Sequence, residues 1–308
     1  MRIRRVSDCF RIVCGCLRND IFLNRLIQSK KGMGVGMKFS IIIVCLNAGG
    51  RLRETVESAL AQHYQEYEIV IKDGGSSDGC VEALSAAADD ARLHIYQSPD
   101  SGIYDAMNQA VAYAQGDYFI FMNAGDSFYD NRVLDKISSV ILKEERRPDI
   151  VYGNLYHKGL ATVIAASPEI NDFTCYRNVP CHQTCFYSRA MFEERAYEPR
   201  YNVRADYEHF LWCFYEKKAK ICYAPVTVAV YEGGGYSETK ENKRRSAKQH
   251  KEITVKYMGR IKAGKYRLIM FLSLAPLRTM IANNRFLSAG YNKLKTLFYK
   301  RKGREGSL

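Results

Sequence analysis

The chain has 308 residues, and with 47% hydrophobic and 26% charged residues it can bury a substantial core, which argues against a globally disordered protein. Its formal net charge of +13 is unevenly spread: residues 240–308 hold 19 Lys and Arg against 3 acidic residues, and residues 1–38 hold 9 against 2. The segment 39–239 keeps 18 basic and 28 acidic residues, a formal charge of −10. Basic ends can meet nucleic acid, anionic lipid or only solvent, so charge alone selects no partner.

Residues 1–38 are predicted to form a basic N-terminal extension. They contain scattered Arg residues and no sustained apolar run, so we expect no signal peptide and a cytoplasmic chain whose thiols stay reduced. Met37 stands two residues before the first strong strand pattern. Translation from Met37 instead of Met1 is therefore an open alternative.

From Phe39 onward, strand and helix patterns alternate. The run FSIIIVCL is continuous and rich in β-branched residues, which is typical of a strand buried on both faces. In chain order, the patterns predict strand 39–46, helix 52–62, strand 67–75, helix 79–88, strand 92–98, helix 101–116 and a strand from residue 118. Gly116 is predicted to be the C-cap of the third helix. This alternation predicts an α/β fold with a largely parallel sheet flanked by helices, in which ligands bind beyond the carboxyl ends of the strands.

After residue 130 the patterns are less regular. Strands are predicted over 149–157 and 221–231, and a helix over 206–217. We interpret residues 39–235 as one domain.

Residues 236–308 are predicted to form a basic amphipathic helical tail. Within it, KYRLIMFLSLAPLRTMI interleaves basic and apolar residues, and its apolar run is too short to span a bilayer. Such a segment suits a helix that lies in the headgroup region with Lys and Arg facing anionic lipid. The alternative is an ordinary helix packed on the body of the protein. Pro276 is expected to kink or end this helix.

Three predicted strands end in polar turns that contain glycine. These turns begin at Asn47, at Asp73 and at Asn123, and the last one ends on Asp126. None contains the Gly-Lys-Ser/Thr of a phosphate-binding P-loop or the G-x-G-x-x-G of a dinucleotide site. Asp73 can accept a hydrogen bond from a base or a ribose hydroxyl, or it can form an Asx turn after the strand.

Several motifs in the right order resemble the inverting family 2 glycosyltransferases, which have the GT-A fold. The motifs are the apolar strand followed by Asn47, the stretch Ser58 to Gln62, Glu68, DGGSSDG at 73–79, SPDSGIYDAMN at 98–108 and NAGD at 123–126. The last two forms resemble the subgroup that includes colanic-acid and O-antigen transferases. The resemblance covers about residues 39–235.

The resemblance implies a UDP-sugar donor and a divalent cation, Mg²⁺ or Mn²⁺. It implies that Asp73 holds the uracil of the donor, and it places Asp126 at the metal-ligand position. Few protein ligands suffice there, because diphosphate oxygens and water supply the other ligands of the cation. The cation would neutralise charge that develops on the leaving group. The remaining substrate-binding candidates on this side are Asn47, Ser76, Asp78, Asp100, Asp105, Asn108, Asn123 and Gly125. For Asp105, the alternative is simple stabilisation of the first turn of a helix.

Transfer with inversion also requires a base that takes the proton of the acceptor hydroxyl. The resemblance gives this role to Asp206 in VRADYEHFLW, with Glu208 adjacent as a substrate residue. Without the resemblance, Asp206 reads as a helix N-cap. In VPCHQTCFYSR, His182 and Gln183 are expected to line the acceptor or diphosphate side.

The sequence therefore predicts a metal-dependent glycosyltransferase that moves a hexose or N-acetylhexosamine from a UDP-sugar to a glycan acceptor with inversion. The subgroup and the tail together favour a lipid-linked acceptor in surface polysaccharide biosynthesis, at the inner face of a bacterial membrane. The alternatives are a nucleotidyltransferase, a non-catalytic sugar-nucleotide binder, and a nucleic-acid-binding protein that uses the basic tail. No nucleic-acid partner is expected, because no DNA- or RNA-reading motif is recognised.

Overall fold

The computed structural model describes residues 36–233 and 239–273, together with residues 287, 290, 291, 293–295 and 297. Contacts divide the chain into two compact units, Met1–Met37 and Lys38–Leu308, and the features below belong to the second. Most of the predicted N-terminal extension and the predicted kink at Pro276 lie outside the described residues.

Strands and helices alternate through the first half of the domain, as the sequence predicts. The strands of the described part are β1 (Phe39–Cys45), β2 (Tyr67–Asp73), β3 (Leu93–Gln97), β4 (Tyr118–Asn123), β5 (Ser127–Phe128), β6 (Ile150–His157), β7 (Thr162–Ile164), β8 (Cys185–Ser188) and β9 (Ile221–Tyr231). The α-helices are α1 (Gly50–Leu60), α2 (Cys80–Ala87), α3 (Ile103–Tyr113), α4 (Val133–Lys143), α5 (Asp172–Arg177), α6 (Arg189–Glu194), α7 (Ala205–Tyr215) and α8 (Lys240–Leu272). Short 3₁₀ turns cover Lys158–Leu160 and His182–Thr184.

The described strands form a mixed sheet in the order β3-β2-β1-β4-β8-β6-β9-β5, and β7 pairs with β6. The pairs β1/β2, β2/β3, β1/β4 and β6/β9 are parallel. The strand β8 runs antiparallel to both β4 and β6. The α/β prediction is confirmed, but the second half of the sheet is mixed, because short strands after residue 130 join the two parallel parts.

The register brings the polar turns together. In β1 and β2 every residue is buried, as a parallel sheet covered on both faces requires. Cys45 pairs with Asp73, and Val44 pairs with Asn123. The carboxyl ends of β1, β2 and β4 therefore lie within one residue of each other in register. Their turns lie side by side at one edge of the sheet.

Gly116 does not cap α3, since the helix ends at Tyr113 and Ala114 occupies the C-cap position. A Cβ on Gly116 would lie 2.5 Å from the backbone nitrogen of Ser40. The N–H of Gly116 instead donates to Oγ of Ser40 at 2.7 Å. Glycine is required here because two backbone segments approach closely.

The C-terminal helix α8 packs against α5 and α7, and its contacts with α5 continue beyond Gly259, where Tyr266 packs on Phe173 and Nζ of Lys262 lies 2.7 Å from Oδ2 of Asp172. Before Gly259, Ile253 and Met258 are buried, and Arg204 donates to Oγ of Ser246 at 2.8 Å. At Gly259, with φ of 76° and ψ of 162°, the helix is interrupted. Among the described residues, no helix has both the length and the apolar character needed to cross a membrane.

Candidate active site

The loops that follow β1 and β2 are tied together at the carboxyl edge of the sheet. The side-chain Oδ1 of Asn47 accepts a hydrogen bond from the N–H of Ser77 at 2.9 Å, and the N–H of Asn47 donates to Oγ of Ser76 at 2.8 Å. Asp78 accepts from the N–H of Gly49 at 2.8 Å. Asn47 has a φ of 49°, in the left-handed region that Asn tolerates better than most residues. Three predicted substrate residues, Asn47, Ser76 and Asp78, thus brace one pair of loops.

Asp73 is fully buried at the base of the second loop. Its carboxylate accepts hydrogen bonds from the N–H groups of Gly75 and Ser76 at 3.1 and 2.9 Å, from the Ser76 hydroxyl at 2.5 Å and from the Gln97 amide at 2.8 Å. Burial acts to raise the pKa of Asp73, but these hydrogen bonds outweigh it and hold the pKa below its usual value. Asp73 is therefore ionised and shapes the loop from within.

Asp100 and Asp105 stabilise the loop between β3 and α3. Nζ of the buried Lys72 donates to Oδ2 of Asp100 at 3.1 Å and to the carbonyl of Ser98 at 2.5 Å, so Asp100 is the counter-ion of a buried cation. Asp105 accepts from the N–H and the hydroxyl of Ser101 at 2.7 and 2.9 Å. Both carboxylates stabilise this loop, and contacts with the donor sugar or diphosphate stay a prediction for them.

Both polar ends of the Asn108 side chain contact the backbone of Tyr197, and contact with substrate stays a prediction for this residue. Its Nδ2 donates to the carbonyl of Tyr197 at 2.9 Å, and its Oδ1 accepts from the N–H of the same residue at 2.9 Å. Both ends of the amide are thus used to fasten α3 to the segment before α7.

Glu208 is enclosed by Arg195, Lys256 and Tyr257, and contact with substrate stays a prediction for it. Its side chain is fully buried, with Oε1 2.8 Å from Nη2 of Arg195 and 2.6 Å from Nζ of Lys256. The hydroxyl of Tyr257 donates to the same oxygen. Two residues along a helix correspond to a rotation of about 200°, so Glu208 faces away from Asp206. Its carboxylate anchors the C-terminal helix.

A cluster of six side chains, here called the His182 cluster, joins the turn after β4 to the start of α7. Its members are Tyr104, Asn123, Asp126, His182, Gln183 and Asp206. Nδ1 of His182 lies 3.2 Å from Oδ2 of Asp206, and Nε2 lies 3.3 Å from Nδ2 of Asn123. Because a carboxylate only accepts hydrogen bonds, Nδ1 carries the proton, and Nε2 then accepts from the Asn123 amide.

Asp126 occupies the turn after β4 with little exposed surface. Nε2 of Gln183 donates to its Oδ2 at 3.0 Å, and the N–H of Asn123 approaches the same oxygen at 3.3 Å. Burial raises the pKa of Asp126 above its usual value, and the hydrogen bond from Gln183 and the nearby His182 offset this only in part. A buried carboxylate with so little compensation is an energetically suitable place for a cation.

Asp206 has the opposite electrostatic balance. Burial acts to raise its pKa, but hydrogen bonds from His182 and from the hydroxyl of Tyr104, the latter at 2.8 Å, outweigh burial and hold the pKa below its usual value. Asp206 is therefore ionised at neutral pH and available to accept a proton.

The turn after β4 offers oxygen ligands of the kind that Mg²⁺ and Mn²⁺ prefer. Within the described part of the chain, Oδ1 of Asn123 is buried without a hydrogen-bond partner, although buried oxygens are nearly always paired. Among the described residues, no group of three or more His, Cys, Asp or Glu is placed to hold a metal ion. The turn therefore fits a cation held by Asp126 and Asn123 that takes its other ligands from a bound diphosphate and water.

Two residues near the cluster, Tyr104 and Arg51, are not among the site residues predicted from the sequence. Tyr104 stands inside the quoted GIYDAMN motif, yet its partner Asp206 lies 102 residues away. Arg51 lies against Gly125, where a Cβ would be 3.4 Å from its Cδ. Gly125 itself has a φ of 110°, which favours glycine. The run GGRLRET contains two Arg residues, but the position of Arg51 beside Gly125 depends on the fold.

The mixed α/β sheet with its flanking helices is similar to that of the GT-A glycosyltransferases. The family model for Glycosyl transferase family 2 matches residues 40–214, so the chain belongs to that family. This result favours a glycosyltransferase over the nucleotidyltransferase alternative.

Curated relatives agree with the family match. A PGL/p-HBAD biosynthesis glycosyltransferase from Mycobacterium bovis (strain BCG / Pasteur 1173P2) is 34% identical over 205 residues, which cover 65% of this chain and 79% of that protein. An uncharacterized glycosyltransferase from Mycobacterium tuberculosis (strain ATCC 25618 / H37Rv) is 30% identical over 194 residues, covering 61% of this chain and 71% of the relative.

Solved structures support the fold. The TarS fragment 1–349 of S. aureus superposes with a TM-score of 0.58 at 16% identity and covers 72% of this chain and 66% of its own. The same fragment in complex with UDP gives a TM-score of 0.56 at 17% identity, with coverage of 72% and 71%. At these identities the likeness establishes the GT-A fold and not the substrate.

Proposed function

We propose that the chain transfers a hexose or N-acetylhexosamine from a UDP-sugar to a hydroxyl of a glycan acceptor, with inversion and with a divalent cation. The observation that carries this proposal is the His182 cluster, in which His182 contacts both Asp206 and the turn that contains Asp126. A proton acceptor and a cation-binding turn lie in one hydrogen-bonded group in a family 2 glycosyltransferase. Complexes of S. aureus TarS with UDP and with UDP-GlcNAc support a UDP-sugar as the donor.

The donor side is formed by the loops after β1, β2 and β4. Asp126 and Asn123 would hold Mg²⁺ or Mn²⁺, and the ion, when bound, stabilises negative charge on the leaving diphosphate. The nucleotide would bind against the loops that Asn47 and Asp78 hold together. Arg51, exposed beside Gly125, adds positive charge where the diphosphate would lie.

The acceptor side depends on Asp206. In the ionised state, which His182 and Tyr104 favour, its carboxylate takes the proton of the acceptor hydroxyl as that oxygen attacks the anomeric carbon. A base that acts on the acceptor, and not a nucleophile bound to the sugar, gives inversion at the anomeric carbon. His182 and Gln183 hold Asp206 and Asp126, respectively, at their positions between acceptor and donor.

The acceptor is proposed to be a lipid-linked glycan in surface polysaccharide biosynthesis, used at the inner face of a bacterial membrane. The relative named for PGL/p-HBAD biosynthesis supports a cell-envelope role.

Beyond Gly259 the C-terminal helix exposes Ile261, Phe271 and Leu272, with exposed fractions of 92%, 74% and 69%. Arg260, Lys265 and Arg267 accompany them without an acidic residue between, while Lys262 pairs with Asp172 at 2.7 Å. Exposed apolar and basic side chains on one segment suit an anionic membrane surface. Catalysis is proposed to reside in residues 39–235.

The proposed function is tested by a donor screen with the purified chain. UDP-Glc, UDP-Gal, UDP-GlcNAc and UDP-GalNAc are each incubated with Mn²⁺, with Mg²⁺ and with EDTA, and binding and release of UDP are measured. We expect one or two donors to bind and to be hydrolysed slowly without acceptor, and EDTA to remove this activity. Absence of binding and hydrolysis for every UDP-sugar with either cation would refute the proposal.

A further inference from the structure

The segment that leads into α7 is held by the first part of α8. The side-chain amide of Gln249 makes two hydrogen bonds to this segment. Its Oε1 accepts from the N–H of Val203 at 3.2 Å, and its Nε2 donates to Oδ1 of Asn202 at 2.9 Å. Gln249 and Val203 are both buried. The amide therefore holds two consecutive residues that stand shortly before Asp206 in the chain.

Two more contacts between α8 and the same segment lie on either side of Gln249. Nε of Arg204 donates to Oγ of Ser246 at 2.8 Å, and the hydroxyl of Tyr201 donates to Oε1 of Glu252 at 2.9 Å. Residues three apart are neighbours on a helix surface. Ser246, Gln249 and Glu252 thus form one surface, here called the α8 contact face. It contacts each residue from 201 to 204.

The start of α7 is fixed by its neighbours. Arg204 occupies the N-cap position, and among the described residues it makes no side-chain hydrogen bond that caps the helix. The N–H groups of a first turn have no partner inside the helix, and a side-chain cap commonly fixes where the helix starts. Asp206 lies in this first turn. Its position therefore depends on the contacts that hold residues 201–204.

The carboxylate of Asp206 has two partners that require a fixed position. Its Oδ1 accepts from the hydroxyl of Tyr104 at 2.8 Å, and its Oδ2 lies 3.2 Å from Nδ1 of His182. These partners belong to α3 and to the turn His182–Thr184, so a displacement of the start of α7 would distort both contacts, and hydrogen bonds weaken steeply when their geometry is distorted. Burial raises the pKa of the other titratable groups that face Asp206 in the described part, which keeps them neutral; they are Cys181, Cys185, Tyr187 and Tyr197.

We propose that the α8 contact face, with Gln249 at its centre, positions the base. By holding the segment before α7, it fixes the first turn of that helix and keeps the carboxylate of Asp206 in its two hydrogen bonds. Gln249 is thus a positioning residue that acts through the backbone of residues 202–206. The assignment rests on the proposed function in taking Asp206 as the base. It adds to the site a helix that lies beyond residues 40–214, which the family model matches.

The test replaces Gln249 by Met, which keeps the size and helix propensity of the side chain and removes both hydrogen bonds. Lys248→Met, at an exposed position one residue earlier in α8, is the matched control. Each full chain is assayed between pH 4 and 8 for hydrolysis of the most active of the four UDP-sugars screened above, with water as the acceptor. UDP-sugar affinity in Mn²⁺ and thermal unfolding are measured in parallel. Carbon NMR of the Asp206 carboxyl group, assigned with Asp206→Asn, follows its titration without turnover.

Gln249→Met is expected to lower kcat about tenfold, within the range that a small misplacement of a reacting group costs. The acid limb of the pH–rate profile and the titration of the Asp206 carboxyl should both move to higher pH, because weaker hydrogen bonds favour the charged form less. The dissociation constant of the UDP-sugar should stay within about twofold of the wild type. Combined with Tyr104→Phe, the loss of kcat should be smaller than the product of the two single losses, since both act through one carboxylate. Lys248→Met should behave as the wild type does.

A lower Tm with kcat, acid limb and titration unchanged would overturn the proposal and leave Gln249 a stabilising residue only. So would losses of kcat that multiply in the double variant with Tyr104→Phe. If Gln249→Met does not fold, Ser246→Ala, which removes the hydroxyl that accepts from Arg204, carries the same measurements and the same criteria. A shifted Asp206 titration in a chain that hydrolyses no UDP-sugar would support the positioning and refute the proposed function. An unchanged titration and acid limb in a chain that hydrolyses one would refute the positioning and leave the proposed function intact.

Discussion

The imidazole of His182 lies 3.2 Å from Asp206 through Nδ1 and 3.3 Å from the side-chain nitrogen of Asn123 through Nε2. One ring therefore connects the proposed base to the turn that contains Asp126. The arrangement fixes the tautomer of His182 and keeps Asp206 ionised, because the hydrogen bonds to its carboxylate favour the charged form.

Tyr104→Phe is predicted to move the acid limb of the pH–rate profile to higher pH. The Tyr104 hydroxyl donates to Oδ1 of Asp206 and helps to lower its pKa. Without this bond the pKa of Asp206 rises, so protonation removes the active carboxylate at a higher pH than in the wild type. We also expect kcat to fall about fivefold at neutral pH, the equivalent of one hydrogen bond of about 1 kcal/mol.

The measurements are kcat and kcat/KM for transfer between pH 4 and 8. Tyr113→Phe, on the same helix and half exposed, is the control and should leave the profile unchanged. An acid limb that stays in place in Tyr104→Phe would mean that this hydroxyl does not tune the base.

Asp126→Ala is predicted to weaken UDP binding more than tenfold in the presence of Mn²⁺ and to have little effect in EDTA. The reason is that Asp126 is the charged protein ligand proposed for the cation, which in turn binds the diphosphate. UDP affinity is measured by titration with and without metal, and Asp206→Asn is the contrasting variant. Equal affinities of Asp126→Ala and the wild type in Mn²⁺ would remove Asp126 from the metal site.

Glu208→Gln is predicted to destabilise the fold by roughly 2–3 kcal/mol at pH 7, because it removes a buried carboxylate that pairs with Arg195 and Lys256. This corresponds to a fall in Tm on the order of 5–10 °C. Burial acts to raise the pKa of Glu208, but Arg195, Lys256 and Tyr257 outweigh it and lower the pKa. The stabilisation is therefore present above the unfolded pKa and is lost as pH falls through the folded one.

Thermal unfolding at pH 7 and at pH 4 checks both parts of this prediction. The difference in Tm between wild type and Glu208→Gln should shrink at the lower pH. Glu57→Gln, which removes an exposed i,i+4 partner of Arg53, is the control and should cost at most about 0.5 kcal/mol. A gap that stays constant with pH would show that ionisation of Glu208 is not what fastens α8.

Replacement of Leu268, Phe271 and Leu272 by Ser is predicted to reduce partition onto phosphatidylglycerol vesicles at least tenfold, because these exposed side chains would enter the headgroup region. Substitution is preferable to truncation at residue 256, since Lys256 and Tyr257 contact Glu208. Vesicle sedimentation gives the partition, and Leu142→Ser, an exposed Leu on the body, is the control. Undiminished partition would mean that this helix packs on the body of the protein and does not bind the membrane surface.

Much of the first half of the fold follows from the sequence, because its strands are continuous apolar runs such as Phe39–Cys45, which is buried at every position. The helix Val133–Lys143 is not among the elements predicted from the sequence, although Val133, Ile137 and Ile141 recur at helical spacing and are buried. The strand Cys185–Ser188 is too short for its periodicity to be distinctive, and its antiparallel pairing depends on strands distant in sequence.

For the candidate site, the sequence pattern identifies the polar residues that follow strand ends. The register of the parallel strands then places these residues together. The environment of an individual polar side chain could not be obtained that way. Asn108 and Glu208 stand in motifs beside substrate candidates, yet their partners are Tyr197 and Arg195, which only the tertiary fold brings near. For the same reason Tyr104 gave no signal as a partner of Asp206.

The central claim is that Asp206 acts on the acceptor in the chemical step and not in donor binding. Its most direct test is Asp206→Asn, measured for transfer and for UDP-sugar affinity in the same buffer with Mn²⁺. We predict that kcat falls by roughly 10²–10⁴, the contribution of a general base, while the dissociation constant for the UDP-sugar stays within about twofold of the wild type. Near-normal turnover in Asp206→Asn would contradict the account and require another base.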